Sequence, residues 1–331
     1  MMIKVFDKDI NFIGVLEKFN SFQCSIPFAN AGSFTIKCVL TEQSLSLLEI
    51  GNIVVYKEFA GMIDSIQKTE ESGEGAKIFA SGYNLTGLLK RRICWSHRSY
   101  ESTGENVIHW LIWDNAIQPT DTDRVIPYLE LEPVQGLTEP YEIQIDYNNL
   151  LDAIVECAED LGYGFNVELE IPNKKMRFKV LTPRDRTSGS NQYVLGKSYD
   201  NVVEQEATYS IKDHTNTILV ISQDGSATYS SGATGIDRQE DYTRTDLRKD
   251  SLTAQQFENV LKTEGRSKLS AVVDSFDIDT TEPDLEVGDV VRMIDREWGI
   301  QRSAMVSEKQ ITLQDGKETI NYLFGKDIGE K

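Results

Sequence analysis

Short runs in which apolar and polar residues alternate fill the first 95 residues of the chain. In Ser33-Phe34-Thr35-Ile36-Lys37-Cys38-Val39 every second residue is apolar, and the turn residues Asn30-Ala31-Gly32 precede this run. A period of two predicts a β-strand with one buried face, and the preceding turn predicts a hairpin. Further strands are predicted over 52–56, 61–68 and 76–82, with a turn at Ser72-Gly73-Glu74-Gly75. Residues 1–95 are therefore expected to form a small antiparallel β-barrel or a curled sheet.

The hydrophobic period changes near Tyr100. Ser102-Thr103-Gly104-Glu105 offers a capping box ahead of one apolar helical face, which consists of Val107, Ile108, Leu111 and Ile112. A second helix is predicted from an N-cap at Asp146 to a stop at Gly162, followed by a hairpin of strands over 164–171 and 176–181. The segment 96–185 is therefore predicted to be an α+β domain.

The polar segment 185–191 marks a boundary, and residues 186–331 are predicted to form a second β-barrel domain. Strands are expected over 202–211 and 217–222, and the small residues near 225–235 predict a mobile loop. Thr253 and Gln256 form a capping box for one further helix. The predicted fold class is thus α+β, mainly β, with two related antiparallel barrels flanking an α+β domain.

The evidence for two related barrels is an internal repeat. Leu48-Glu49-Ile50-Gly51-Asn52-Ile53-Val54 recurs as Leu285-Glu286-Val287-Gly288-Asp289-Val290-Val291, and both copies precede a hairpin whose last strand ends near Gly82 or Gly325. Chance is the alternative, because glycine is the usual residue at a tight reversal. If the repeat is real, Gly51 is expected to superpose on Gly288 and Val54 on Val291. These four are the structural repeat residues.

Charge and composition exclude several classes of function. The formal net charge is −19, which disfavours binding to nucleic acid, because such affinity comes mainly from Lys and Arg. Solubility is the simpler interpretation of this charge, and repulsion of DNA or membrane is the other. The chain contains no apolar run of transmembrane length, and its first residues do not resemble a secretion signal, so folding in a cytoplasm is expected. Reduced thiols are predicted at Cys24, Cys38, Cys94 and Cys157.

Candidate chemistry is sparse. His97, His109 and His214 show no metal-ligand spacing, and Asp277-Ile278-Asp279 with Asp284 departs from a calcium loop at Thr281 and Glu282. No phosphate-binding glycine motif is present. The sequence therefore predicts no catalytic, cofactor-binding or metal-binding residues. Sugar stacking by tryptophan is conceivable, although Trp110 and Trp113 favour a core or interface role; the four tryptophans are Trp95, Trp110, Trp113 and Trp298.

Several segments together resemble the hub proteins of siphophage tails. These are the two heptads, Gly61–Ile66, Ser81–Leu85 with Leu88–Arg92, Gln314–Lys317 with Phe324-Gly325, and Gly235–Glu240. The resemblance implies a homotrimer in which two tail-tube-like barrels per chain form a six-part ring on the hexameric tail tube. The partners that it implies are a distal tail or tail-tube protein, a tape-measure protein, and tip, fibre or spike proteins. The implied location is the virion tail tip, after assembly in the host cytoplasm.

Three functions follow from these features. A non-enzymatic hub is favoured, a carbohydrate-binding adhesin at the same tip is the alternative, and a cell-wall hydrolase is the weakest. A hydrolase needs one deep cleft with convergent ionisable groups, which a repeated barrel does not supply. Two barrels per chain match a six-fold ring when three chains close it. A channel through that ring is expected to be lined by acidic or neutral groups, because it must pass DNA or a tape-measure protein without binding it.

Overall fold

The computed structural model describes residues 1–71, 75–199, 201–212, 214–249, 252–269, 273–280, 285–295, 297 and 299–327. The predicted turn at Ser72-Gly73-Glu74, the acids after Thr280 and Trp298 lie outside these residues. The chain divides into two compact units: unit 1 comprises Met1–Gln205 and Asp277–Lys331, and unit 2 comprises Glu206–Phe276. The three-domain division at 95 and 185 remains a prediction.

Strands make up most of the regular structure of the described residues, which also contain four α-helices. The strands are β1 (Ile3–Phe6), β2 (Phe12–Leu16), β3 (Ser21–Pro27), β4 (Ser33–Val39), β5 (Ile53–Tyr56), β6 (Phe59–Glu71), β7 (Gly75–Asn84), β8 (His97–Thr103), β9 (Leu129–Leu131), β10 (Pro140–Asp146), β11 (Gly164–Glu170), β12 (Lys175–Leu181), β13 (Arg184–Asp185), β14 (Val194–Leu195), β15 (Val202–Ser210), β16 (Thr217–Ile221), β17 (Ser226–Ser230), β18 (Glu240–Arg244), β19 (Val273–Thr280), β20 (Asp289–Asp295), β21 (Ile300–Gln314) and β22 (Lys317–Asp327). The α-helices are α1 (Glu42–Leu47), α2 (Gly104–Ile112), α3 (Leu150–Leu161) and α4 (Ala254–Ser267). A 3-10 helix covers Leu85–Arg91, and a π-helical turn, Trp113–Ile117, continues α2.

A 14-stranded sheet contains strands from both ends of the chain. Its order is β15-β19-β22-β21-β3-β4-β7-β6-β5-β1-β2, and β20 pairs with β21 and also with β13 and β14. The class α+β, mainly β, is therefore confirmed. The two separate barrels are not confirmed, because β21 pairs with β3 and so joins the two sets of strands. No pairing among the described strands closes either set into a barrel.

The α+β part of unit 1 largely follows the predicted periodicity. The apolar face of α2 is fully buried, and the predicted hairpin is present as β11 and β12. The predicted capping box is wrong, because no side chain caps α2 and the Glu105 carboxylate instead accepts from the amides of Gln135, Gly136 and Leu137. The predicted N-cap at Asp146 is also wrong, because Asp146 ends β10 and Asn149 caps α3.

Unit 2 is a three-stranded sheet with one helix packed on it. Its strand order is β17-β16-β18, and the core contains Ile218, Val220, Phe257 and Leu261. The capping box of Thr253 and Gln256 is confirmed at the start of α4. The loop predicted near 225–235 is wrong over Ser226–Ser230, which forms β17 against β16. The small polar residues of β17 show no alternation of apolar and polar positions, because Ala227 is the one buried residue of this strand.

All four cysteines are buried, and none of them forms a disulfide in this structure. Within the described residues, no helix has the length and apolar character needed to cross a membrane.

Candidate assembly site

The two heptads adopt the same turn. Gly51 has φ +93° and Gly288 has φ +89°, in a region that favours glycine. The Gly51 amide donates to the carbonyl of Ile63 at 2.9 Å, and the Gly288 amide donates to the carbonyl of Val306 at 2.8 Å. Each turn is also closed by a donor one residue later, since Asn52 N donates to Glu49 O and Asp289 N to Glu286 O, both at 3.1 Å.

The strands that follow the glycines keep the same register. Val54 lies opposite Gly61 in the β5·β6 pair, and Val291 lies opposite Ala304 in the β20·β21 pair. Both valines are fully buried. The small residues opposite them leave room for the branched side chains on a shared buried face.

The next hairpin also matches, down to a β-bulge. The β6·β7 register shifts between Ile63 and Ser65, and the β21·β22 register shifts between Val306 and Glu308. Ile63 and Val306 are the residues that accept from the two glycines, so the bulges occur at corresponding places. Gly82 pairs with Ile63, whereas Gly325 pairs with Met305, so Gly325 corresponds to Tyr83 and not to Gly82.

The residue after each glycine differs between the two copies, and so does the element that its side chain contacts. Asn52 donates from Nδ2 to the Leu47 carbonyl at 2.9 Å. Asp289 is buried, and its carboxylate accepts from Arg184 Nε at 2.6 Å and from Arg186 Nη1 at 3.0 Å. Burial alone would raise the pKa of Asp289, but the hydrogen bonds from Arg184 and Arg186 hold that pKa below its ordinary value. The charged group thus ties β13 to β20.

The junction of the two sets of strands is the antiparallel pair β21·β3, which runs from Glu308 opposite Pro27 to Gln314 opposite Ser21. Ile311 and Leu313 enter the core beside Phe22. Lys309 is buried between the two copies, with Nζ 2.6 Å from Glu58 and 3.4 Å from Glu286. Burial would lower the pKa of Lys309, but the hydrogen bond to Glu58 raises it, so the lysine stays charged.

The opposite face of this junction carries an uncharged polar row. Register partners place five such side chains side by side on consecutive strands: Thr312, Gln23, Thr35, Ser81 and Ser65. The row crosses β21, β3, β4, β7 and β6. A continuous sheet therefore presents a hydrophobic face to the core and a hydrophilic face on its other side, where the uncharged row is flanked by Lys37, Lys77 and Glu308.

A surface cavity with a volume of about 530 Å³ lies at the α+β part and is lined by ionisable groups. Its Asp114 accepts from Tyr100 Oη at 3.1 Å and is bridged by Arg98, while the Arg124 guanidinium lies 4.6 Å from the centre of the Trp95 ring. Burial, with Asp114 nearby, raises the pKa of Tyr100 to about 12. These groups are paired with one another, and none forms a nucleophile–base pair.

The remaining candidates are dispersed. His97 is exposed beside Asp146. His109 is buried, with its ring centre 6.3 Å from that of Phe178. Burial lowers the pKa of His109, although the nearby Glu105 acts to raise it. Trp110 and Trp113 are 43% and 45% exposed, so they are not core residues. Among the residues that the structure describes, no group of three or more His, Cys, Asp or Glu side chains is placed to hold a metal ion.

Comparison with known proteins gives a family and a fold. Residues 2–326 match the family model described as Siphovirus ReqiPepy6 Gp37-like protein. A tail protein from Neisseria meningitidis MC58 is similar in structure, with TM-score 0.60 and 14% identity over 98% of this chain and 96% of its own. The 43 kDa tail protein of prophage MuSo2 from Shewanella oneidensis gives 0.60 and 12% over 98% of each chain. Prophage tail protein gp18 from Listeria monocytogenes EGD-e gives 0.57 and 14% over 100% of this chain and 96% of its own. No curated protein matches.

Proposed function

The chain belongs to the Siphovirus ReqiPepy6 Gp37-like protein family, a siphophage tail-associated family, and on that premise we propose that it is a structural hub of a tail tip. In this role it forms a ring that joins the tail tube to the tip. The observation that carries the proposal is the edge-to-edge joining, within one chain, of two copies of the same strand and turn module. If the same edge-to-edge contact also forms between chains, it generates a closed ring where the rotation between neighbours allows.

The proposed assembly is a homotrimer. Each chain supplies two related segments, tail-tube-like in character, and three chains supply the six segments that match a hexameric tube. The finer division into hub domains 1–95 and 186–331 around an α+β domain 96–185 belongs to this proposal. The proposed partners are a distal tail or tail-tube protein, a tape-measure protein, and tip, fibre or spike proteins. The proposed location is the virion tail tip.

The neutral polar row from Thr312 to Ser65 is the proposed channel lining. Hydroxyl and amide side chains carry no charge, so they lack the counterion-releasing attraction that Lys and Arg exert on a phosphate backbone, and the net charge of the chain is −19. Such a lining lets a polyanion or an extended protein pass without adhering to it. The uncharged row thus supports the expectation of an acidic or neutral channel.

A structural role also fits the cavity chemistry. Asp114 and Tyr100 already engage each other, and Arg124 covers one face of Trp95, so the polar groups hold the fold together. We therefore propose that the protein catalyses nothing.

Mass and location test this proposal. Light scattering on the purified chain across concentration, with and without the tube protein, is expected to give three times the 37.4 kDa of one chain. Antibodies against the chain are expected to label the tail tip of intact virions. A mass that stays monomeric under all these conditions, or labelling along the tail shaft, would overturn the hub.

The second candidate function is carbohydrate binding, and the exposed Trp95 beside the 530 Å³ cavity favours it. Titration of wall polysaccharide against tryptophan fluorescence tests this candidate, with Trp95→Ala as the variant and Trp110→Ala as the matched control. A quench that only Trp95→Ala abolishes would support an adhesin.

A further inference from the structure

Several backbone edges of the large sheet, that of β2 included, have no partner strand among the described residues, and two of them belong to the repeated strands. One is the outer edge of β6 over Ser65–Glu71, which pairs with β7 on its other side only. The other belongs to β15, which ends the strand order beyond β19. An unpaired edge presents a row of amides and carbonyls that a further strand can bond.

The internal repeat indicates what belongs on the edge of β6. Corresponding bulges and glycine contacts match β6 to β21, and the outer edge of β21 over Glu308–Gln314 is occupied by β3. In the first copy β3 follows β4 and β7, and in the second copy β15 follows β19 and β22. Strand β15 therefore holds the place in its copy that β3 holds in the other.

We propose that Ser65–Glu71 of β6 in one chain pairs antiparallel with β15 of a second copy of this chain. The pairing repeats between chains the β21·β3 junction that exists within each chain. It rests on the proposed ring and specifies the surface that closes it. The contact is head-to-tail, since each chain offers one β6 edge and one β15 edge, and such contacts generate closed rings when the rotation allows.

Alternate residues of β6 direct their backbone amides and carbonyls to its unpaired edge. The amide of Leu40 donates to the carbonyl of Ala76 at 2.9 Å, on the side of β7 that faces β4. Glu70 lies opposite Ala76. In an antiparallel ladder, opposed residues alternate between pairs that bond each other and pairs whose amides and carbonyls point outward. Because Ala76 bonds towards β4, the amide and carbonyl of Glu70 point away from β7. By the same alternation, Ile66 and Lys68 also direct their amides to the free edge.

The side chains suit an edge that must stay soluble before it assembles. Ile311 and Leu313 are fully buried at the occupied junction, whereas the corresponding Lys68 and Glu70 are exposed. A lysine on an edge strand opposes indiscriminate pairing. On the other face two positions are the same in both copies, Gln67 and Thr69 corresponding to Gln310 and Thr312. The interchain junction is thus a polar one, bonded mainly through its backbone.

Amide hydrogen exchange on the full chain, below and above its assembly concentration, tests the proposal. The amides of Ile66, Lys68 and Glu70 are expected to slow at least tenfold on assembly, together with amides of β15. Those of Lys309, Ile311 and Leu313 are expected to be protected in both states, because β3 already covers them. Assembly without slowing at β6 would overturn this inference and leave the ring intact. Failure to assemble under any condition would overturn the proposed function as well.

A proline at position 68 is the matched variant. Lys68→Pro removes an amide that bonds nothing within the chain, so the melting temperature should change by only a few degrees while ring formation falls at least tenfold. Lys68→Ala keeps that amide and should shift association at most threefold. Equal loss in both variants, or full assembly of Lys68→Pro, would contradict backbone pairing at this edge. If Lys68→Pro does not fold, the exchange measurement decides alone.

Discussion

The glycines at positions 51 and 288 are alike in conformation but not in surroundings. Both have φ near +90°, where a side chain is strained. A Cβ at Gly51 would meet nothing within 4 Å, whereas one at Gly288 would lie 2.6 Å from the ring of Phe28, which is buried. Sequence reasoning identifies both residues from the heptad, but it does not identify this contact, because Phe28 is remote in sequence.

Alanine at the two positions is expected to separate these effects. Gly51→Ala should lower the free energy of unfolding by about 1–2 kcal/mol through backbone strain alone. Gly288→Ala should lose clearly more, since the added methyl also displaces a packed aromatic ring. Urea unfolding of both variants measures the difference. Equal losses would mean that the ring moves aside freely.

The cysteines give a second prediction at this scale. Burial raises the pKa of the Cys38 and Cys94 thiols to about 11 and that of Cys157 to about 12, and it raises that of Cys24 further. A thiol reacts as its thiolate, so at pH 8 none of the four should be alkylated in the folded protein and all four should react in denaturant. Mass spectrometry after iodoacetamide treatment provides the count. Rapid modification of the folded chain would show that a cysteine is accessible.

At the scale of elements, the sequence predicts what local pattern controls and misses what distant partners decide. The buried face of α2, the stop of α3 at Gly162 and the capping box of α4 are all local, and all are confirmed. The capping box at Glu105 is wrong because three amides from a distant loop compete for that carboxylate. The β21·β3 pair joins residues far apart along the chain, and the hydrophobic periodicity of a strand does not predict which distant strand it pairs with.

The link between β13 and β20 should depend on pH. Asp289 has a lowered pKa in the fold, so its contribution is present above the ordinary value of 3.8 and is lost as pH falls through the lower folded value. Asp289→Asn should cost about 2 kcal/mol at neutral pH, because Arg184 and Arg186 lose a charged acceptor. Unfolding measured from pH 7 to pH 2 should show the variant approaching the parent protein only at the acid end. Asn52→Asp, at the corresponding turn, is the control that has no arginine pair.

For the whole molecule, assembly must overcome the charge that keeps the chain soluble. Three chains of net charge −19 repel one another over long range. Salt screens exposed charges over a Debye length of about 8 Å at physiological ionic strength, so repulsion at the ring contacts weakens as salt is added. Trimer formation is therefore expected to strengthen severalfold between about 50 and 500 mM sodium chloride, where the screening length falls from roughly 14 to 4 Å. Sedimentation equilibrium at several salt concentrations measures this, with a second monovalent salt as a control for specific ion effects.

Weaker association at high salt would mean that interchain ion pairs dominate, as with Lys68 against an acidic group of the next chain. In that case Lys68→Ala would remove most of the salt dependence, and the neutral backbone junction would have to be abandoned in favour of a charged one.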